Sequence, residues 1–215
     1  MARACVVLIA IDRGVRMSNA VPIELSDDSR IFVLSRAEFV QKFEKDTGED
    51  DLSLIRRAYI IGEALHRGQT RDEGTPYFNH PIRVAMVLSD ELNRREATIL
   101  CGALLHDVVE DSDITVEDLR AMFNPEIADA VRLLTKNGGV ETVDYLRAIE
   151  EESPGVALPI KLGDRLDNLR GLHLSRKPNK RAKYLGETMK YFVPLAERHN
   201  MYVHDQFRKL INLLS

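Results

Sequence analysis

The stretch RREATILCGALLHDVV at residues 94–109 carries the clearest indication of the fold. Its apolar residues recur every three or four positions, the spacing that buries one face of an α-helix. They are Ala97, Leu100, Cys101, Leu104, Leu105 and Val108. We therefore predict that this stretch is helical, with an apolar helix that ends in His106 and Asp107. Cys101 lies in the most apolar part and is predicted to be a buried, unreactive thiol.

Helical spacing continues on both sides of this stretch. An earlier segment that ends near Leu65 repeats the pattern, and Thr115 with Asp118 resembles a capping box that opens a helix through Met122. Pro125 is well placed to start the next helix. Further helices are predicted at residues 141–151, 160–173, 180–198 and 202–214. From about residue 37 onward we therefore predict an all-α domain.

Residues 1–36 lack the helical spacing of apolar residues that the rest of the chain shows. Short β-branched runs occur at residues 6–11 and 31–33, with turn-forming residues before the second run. The first run is too short for a signal peptide or a membrane span. We predict an irregular or strand-containing N-terminal extension over 1–36 and a helical domain over 37–215. Met17 is an alternative start of the chain.

Composition excludes several classes of protein. The chain has 215 residues, 44% hydrophobic and 30% charged, with a formal net charge of −4, which predicts a soluble globular protein. It lacks the basic excess of non-specific nucleic-acid binders. Its two cysteines, Cys5 and Cys101, are far apart and have no metal-type spacing. We therefore expect a cytoplasmic protein without a nucleic-acid or membrane partner.

Three short polar clusters interrupt the helical pattern. They are HRGQTRDEGTPYFNHP at 66–81, LLHDVVEDS at 104–112 and KLGDRLDN at 161–168. Pro81 suits the first position of a helix, so His80 is predicted at a helix entrance with its ring free to point into a pocket. Asp164 and Asn168 are four residues apart and therefore share a helix face.

The residue types in these clusters predict a metal site. Imidazole and carboxylate together suit Mn²⁺, Mg²⁺ or Fe²⁺, whereas structural zinc favours thiolates. An ion with open positions activates water and stabilises charge on phosphorus, which predicts hydrolysis of a phosphate ester or pyrophosphate. Glu110 lies on the face of His106 if the helix continues, where it can orient or deprotonate that water. The candidate ligands are His80, His106, Asp107 and Asp164.

Each cluster also has a plain structural interpretation. A histidine at a helix end before acidic residues is a favourable terminal contact. Asp164 in a charged helix is equally compatible with an exposed salt bridge. A His-Asp dipeptide by itself occurs by chance in many proteins. The metal site is therefore favoured by the joint pattern of the three clusters and not by any one of them.

The joint pattern resembles the hydrolase domain of RelA/SpoT-type enzymes, within the HD phosphohydrolase superfamily. The resemblance runs from about His66 to Asn200 and covers five motifs in order. They are HxGQxR at 66–71, GTPYxxHP at 74–81, LLHDVVED at 104–111, KLxDRLxN at 161–168 and ETMKYFVPLAER at 187–198. The fold that this resemblance implies is the all-α HD-domain helical bundle.

The resemblance also implies roles for single residues. Mn²⁺ is the family's metal, and its ligands here would be His80, His106, Asp107 and Asp164. Glu110 and Asp111 would be the acidic pair that activates or positions the attacking water. Arg71 matches an arginine that packs against the nucleobase, and Asn168 a residue near the ribose. The remaining residues expected along the nucleotide are Lys161, Arg165 and Tyr145.

The activity that the resemblance implies is removal of the 3′-pyrophosphate of (p)ppGpp, with (p)ppApp as a further substrate. The chain has no room for the synthetase and regulatory domains of long RelA/SpoT enzymes, so we expect a stand-alone small alarmone hydrolase. Two alternatives remain open. One is an HD nucleotidase or a phosphatase for the 2′-phosphate of NADPH, and the other is a catalytically silent nucleotide-binding regulator.

The chain departs from the family pattern near the expected substrate site. Asp72 and Glu73 follow Arg71 where relatives often have a basic residue and serine. Gly171 stands in place of a frequent threonine and Asp167 in place of a frequent histidine. Pro159 is expected to start or kink its helix. None of these residues is a predicted metal ligand, so the departures bear on the choice of purine more than on hydrolysis.

Overall fold

The computed structural model describes residues 34–175 and 178–215, and these residues fold into packed α-helices. In chain order the helices are α1 (Arg36–Phe43), α2 (Glu49–Leu65), α3 (Asn79–Met86), α4 (Ala97–Leu105), α5 (Val108–Asp111), α6 (Val116–Met122), α7 (Pro125–Leu134), α8 (Thr142–Glu152), α9 (Ala157–Arg170), α10 (Pro178–Glu187), α11 (Val193–His199) and α12 (Met201–Leu214). A π-helical turn, Val87–Glu91, extends α3. Within the described ranges an isolated bridge between Thr70 and Pro76 is the only β-type pairing. The all-α prediction is confirmed.

Helix α4 lies at the centre and contacts α2, α3, α7 and α9. Every residue of α4 except Thr98 is buried, so the helix is enclosed on all sides. Cys101 is fully buried, and burial raises the pKa of its thiol, as expected of an inert cysteine. Helix α2 crosses α4 closely at Gly62, where a Cβ atom would lie 2.7 Å from the carbonyl oxygen of Leu104. This packing fixes α4 and the loop that follows α2.

The helical spacing over 94–109 does not continue as one helix, so the condition for placing Glu110 on the face of His106 is not met. Helix α4 stops at Leu105, and the short helix α5 begins at Val108. In a continuous helix the carbonyl of Ala103 would accept the N–H of Asp107. Here the ring Nδ1 of His106 donates to that carbonyl at 2.8 Å. The side chain thus replaces a backbone hydrogen bond, and the chain turns at His106 and Asp107.

Two helices begin earlier than their prolines suggested. Pro81 is the third residue of α3 and not the first, and Pro159 is the third residue of α9. The first turn of a helix has N–H groups without intrahelical acceptors, so a proline there removes no hydrogen bond. Pro125 does occupy the first position of α7, and the capping box of Thr115 with Asp118 is confirmed.

The helix predicted over 180–198 is present, and its helical path changes to a π-helical turn part-way along. A π-helical turn, Thr188–Phe192, separates α10 from α11, and Pro194 is the second residue of α11. Proline lacks an N–H and its ring collides with the carbonyl four residues earlier. The wider π-helical turn before Pro194 avoids that collision, which accounts for the change of helix type.

The predicted N-terminal extension lies almost entirely outside the described residues. This applies to the β-branched runs at 6–11 and 31–33 and to Met17. Ser35 caps α1 through a capping box with Glu38, so the helical part starts at residue 36. The division into 1–36 and 37–215 stays a prediction. Among the residues that the structure describes, no helix has the length and apolar character needed to cross a bilayer.

Glu91 joins three elements. Its two carboxylate oxygens accept from Arg170 at 2.6 and 2.7 Å, and the hydroxyl of Tyr202 donates to one of them at 2.6 Å. Burial raises the pKa of Glu91, but Arg170 and Tyr202 outweigh burial and hold that pKa below its usual value. Glu91 therefore ties the turn after α3 to the end of α9 and the start of α12.

We predict that Glu91→Gln lowers the free energy of unfolding by about 1–3 kcal/mol at pH 7, because two partly buried charged hydrogen bonds to Arg170 are weakened. The lowered pKa means that the contribution is complete above the pKa of the unfolded carboxyl and is lost as the pH falls through the folded value. Urea unfolding at pH 7 and at pH 3 measures this. The exposed Glu197→Gln is the control, and an equal loss at both pH values would contradict the prediction.

Candidate metal centre

The fold brings the three polar clusters together. His80 lies in the first turn of α3, and His106 and Asp107 form the break after α4. These three residues each offer one ligand atom, all within 4.8 Å of one another. Asp164 of α9 adds an oxygen, Oδ1, that lies 3.1 Å from His80 Nε2 and 3.9 Å from His106 Nε2. The four residues that sequence analysis predicted as ligands thus meet at one place.

Both histidines turn the same nitrogen toward this cluster. Nδ1 of His106 donates to the carbonyl of Ala103, and Nδ1 of His80 lies 2.6 Å from Oδ2 of Asp167. A neutral ring that donates from Nδ1 has its lone pair on Nε2. Nε2 of His106 is buried and has no hydrogen-bond partner in the described part of the chain. Two imidazole Nε2 atoms beside carboxylates are a donor set that fits a divalent metal ion.

The cluster concentrates charge in a buried place. Burial lowers the pKa of His106, but Asp107 and Asp164 outweigh burial and raise it to about 9. Burial raises the pKa of Asp107, and His106 opposes this and holds it well below its usual value. Lys161 Nζ lies 2.9 Å from Asp164 Oδ2. Two ionised carboxylates therefore face a protonated imidazole and an ammonium, and a divalent cation can replace the proton on His106.

Tyr77 supports the cluster and was not singled out in the sequence analysis. Its hydroxyl donates to Oδ2 of Asp107 at 2.7 Å, and its ring stacks on His66 with centroids 4.7 Å apart. His66 in turn bonds Gln69, whose amide donates to the backbone carbonyl of Asp111. The available signal was position, since Tyr77 precedes His80 by three residues in the GTPYxxHP motif.

A cavity of about 330 Å³ adjoins the cluster. Arg71 Nη2 donates to Asn168 Oδ1 at 2.6 Å, and Asn168 Nδ2 donates to Asp164 Oδ1 at 2.5 Å. Arg71, Asn168 and Tyr77 all line the cavity. Two of these lining residues, Asn168 and Tyr77, donate hydrogen bonds directly to carboxylates of the cluster. The predicted pair Arg71 and Asn168 therefore lies beside the predicted metal ligands.

The acidic residues that depart from the family pattern also line this cavity. Asp72 forms an ion pair with Lys180 at 2.7 Å. Glu73 lies 3.4 Å from Arg71 Nε and accepts a hydrogen bond from Thr75. Each carboxylate thus has a cation beside it, which reduces the negative charge that an anionic ligand would meet.

Three predicted substrate contacts lie outside the lining of that cavity. Lys161 faces Asp164 and lies over the Tyr145 ring, at 5.4 Å from its centroid. The Tyr145 hydroxyl donates to the carbonyl of Leu134. The guanidinium of Arg165 lies between two aromatic rings, 3.8 Å from each centroid, and holds α10 and the turn after it against α9. The two rings belong to Tyr184 and Phe192.

Glu110 is not placed as a continuous helix would place it. Because the chain turns at His106, Glu110 belongs to a separate short helix, and its Oε1 accepts from the backbone N–H of Lys136 at 2.5 Å. Asp111 lies closer to the supporting side chains. Burial, then Asp107 and then Asp111 raise the pKa of the Tyr77 hydroxyl.

Comparison with known proteins decides the family. A family profile described as "HD domain" matches residues 58–202, which include every residue of the cluster. The chain belongs to the HD-domain family. HD domains depend on a metal, in agreement with the His/Asp group found here.

Curated relatives of this HD domain are longer proteins. "GTP pyrophosphokinase rsh" of Brucella melitensis is 38% identical over 175 residues, which are 76% of this chain and 22% of that protein. "Bifunctional (p)ppGpp synthase/hydrolase SpoT" of Escherichia coli K12 is 34% identical over 159 residues, 70% of this chain and 22% of that protein. The chain thus spans less than a quarter of the length of these relatives.

A solved structure matches this chain, and the match covers nearly the full length of the solved chain. It is described as a metazoan ortholog of SpoT that hydrolyzes ppGpp and plays a role in starvation responses. The two chains are 30% identical with a TM-score of 0.65, and the match covers 75% of this chain and 95% of the other. The resemblance to SpoT-type HD domains that the five motifs carried is confirmed.

We predict that Mn²⁺ raises the melting temperature of the protein by about 5–10 °C at a hundredfold excess over its dissociation constant. The reason is that the ion is expected to bind the cluster in the folded protein and not the unfolded chain. In Asp107→Asn this shift should disappear. The exposed Asp113→Asn is the matched control. A wild-type melting curve that Mn²⁺ leaves unchanged, or a shift that Asp107→Asn retains, would show that the cluster does not bind the ion.

Proposed function

We propose that this HD domain is a Mn²⁺-dependent hydrolase that removes the 3′-pyrophosphate of (p)ppGpp and releases GDP or GTP. The observation that carries the proposal is the His/Asp cluster joined by hydrogen bonds to a nucleoside-sized cavity. Relatives named for (p)ppGpp hydrolysis support the choice of substrate. The expected compartment is the cytoplasm.

The proposed ligands of one ion are His80, His106, Asp107 and Asp164. Two imidazole nitrogens and two carboxylate oxygens suit Mn²⁺, which accepts both donor types and further oxygen ligands. When bound, the ion would supply a more acidic water and would offset negative charge at phosphorus. The Tyr77 hydroxyl holds Asp107, and Lys161 and Asn168 hold Asp164, so both carboxylates keep their orientation.

The acidic pair after the break has the role of water activation in this proposal. Asp111 and Glu110 would orient the attacking water and take its proton. Of the two, Asp111 is linked to the environment of Asp107, since both aspartates raise the pKa of the Tyr77 hydroxyl that donates to Asp107. Water attacks the phosphorus bonded to the ribose 3′-oxygen, that P–O bond breaks, and the 3′-oxygen leaves with a proton. Pyrophosphate is released intact.

The cavity beside the cluster is the proposed nucleoside site. Its volume of about 330 Å³ lies within the usual range of ligand pockets. A guanidinium plane stacks well on a purine, which is the role proposed for Arg71. Asn168 bonds both Arg71 and Asp164 and is proposed to contact the ribose between base and metal. Lys161, Arg165 and Tyr145 lie outside the cavity lining, so we place their effect on the surrounding packing.

The purine preference of the site is tested together with its activity. Purified full-length protein with Mn²⁺ is expected to release pyrophosphate from both (p)ppGpp and (p)ppApp. Asp107→Ala should lower turnover by more than about 100-fold, since loss of an outer-sphere partner alone costs up to that much. Chromatography of nucleotide and phosphate products measures this, with Asp113→Asn as the control that keeps activity.

Three results would contradict the proposal, and each supports something else. Faster release of monophosphate from nucleotides or NADPH than of pyrophosphate from either alarmone would establish the nucleotidase or phosphatase alternative. Tight alarmone binding without turnover, unaffected by Mn²⁺, would establish a regulator. Full turnover in Asp107→Ala would place the chemistry outside the cluster.

A further inference from the structure

Asp167 is a buried carboxylate that sequence analysis noted only as a departure from the family's frequent histidine. Its side chain is 5% exposed. Oδ2 lies 2.6 Å from Nδ1 of His80, and Arg83 donates from Nε to Oδ1 at 2.8 Å and from Nη2 to Oδ2 at 3.0 Å. The carboxylate thus lies between a predicted metal ligand and a guanidinium.

We propose that Asp167, held by Arg83, is a positioning residue for the metal centre that fixes Nδ1 of His80 as the proton-bearing nitrogen and directs Nε2 at the ion. The inference rests on the proposed function, because it assigns a role within the same centre. It extends the site beyond the four ligands and the acidic pair.

The two nitrogens of the His80 imidazole have different roles in metal binding. A neutral ring carries its proton on either nitrogen, and only the other nitrogen can bind a metal. A carboxylate beside Nδ1 accepts a hydrogen bond from the protonated Nδ1 and would repel a lone pair there, so the ring of His80 is held with the lone pair on Nε2. The same acceptor makes Nε2 a stronger ligand, and such outer partners typically contribute about 10–100-fold to metal affinity.

The arrangement repeats along both helices. Arg83 follows His80 by three residues on α3, and Asp167 follows Asp164 by three residues on α9. Residues three apart share a helix face. Helices α3 and α9 therefore meet through two successive contacts: His80 with Asp164 and, one turn further along both helices, Arg83 with Asp167. His106 differs, since its Nδ1 uses the backbone carbonyl of Ala103.

The competing interpretation is that Asp167 only pairs with Arg83 to join α3 and α9. The chain offers a matched case for that role. Glu91 binds Arg170 through two hydrogen bonds just as Asp167 binds Arg83, and all four side chains line the same cavity of about 530 Å³. No contact of Glu91 with the cluster residues occurs among the described hydrogen bonds and ion pairs.

The experiment compares Asp167→Asn with Glu91→Gln in the full-length protein. Electron paramagnetic resonance of free Mn²⁺ gives the dissociation constant, and thermal unfolding gives stability. Both variants are expected to melt at lower temperature, because each loses a charged pair. We expect Asp167→Asn alone to bind Mn²⁺ about 10–100-fold more weakly. Its hydrolytic rate should recover as the Mn²⁺ concentration is raised, since all four ligands are intact.

A further variant guards against misfolding, because Asp167→Asn leaves the charge of Arg83 without its carboxylate. The double variant Asp167→Asn/Arg83→Gln removes both charges and should show the same loss of Mn²⁺ affinity. Wild-type affinity for Mn²⁺ in Asp167→Asn or in the double variant would overturn the inference. An equal loss of Mn²⁺ affinity in Glu91→Gln would also overturn it. A wild-type protein that binds no Mn²⁺ would instead overturn the proposed function itself.

Discussion

The meeting of His80 with Asp164, at the point where α4 ends in His106 and Asp107, is the contact on which the site depends. Helix α4 is buried on all sides, so its C-terminal end delivers two polar side chains into the interior. Buried polar groups need partners, and helices α3 and α9 supply them. The packing of α3, α4 and α9 therefore also assembles the proposed metal centre.

Partners outside the cluster make this burial of charge tolerable. The Tyr77 hydroxyl donates to Asp107, Lys161 and Asn168 donate to Asp164, and Asp167 accepts from His80. An ionised group loses its hydration when it is buried, and each of these contacts restores part of that loss. The same contacts fix the direction of each proposed ligand atom, so they contribute both to the stability and to the preorganisation of the site.

The sequence predicted the helical fold and the four clustered residues, and the resemblance to RelA/SpoT-type hydrolase domains implied that Arg71 and Asn168 lie near them. The fold and the four residues could be predicted because helical spacing and ligand types are local properties of the chain. The sequence left open whether the helix continues past His106, since the cause of the break after α4 is a side-chain hydrogen bond from His106 to Ala103 that periodicity does not encode. Asp167 and Tyr77 were missed for a related reason. Their partners, His80 and Asp107, lie 87 and 30 residues away in sequence.

One divalent ion is proposed to join residues from three separate helical regions. Anomalous diffraction at the manganese absorption edge, from crystals of the protein grown with Mn²⁺, tests it most directly. The account predicts one strong peak about 2.0–2.3 Å from Nε2 of His80, Nε2 of His106 and oxygens of Asp107 and Asp164. A peak that lies beyond bonding distance of any of the four residues, or no peak at the cluster, would contradict this proposal.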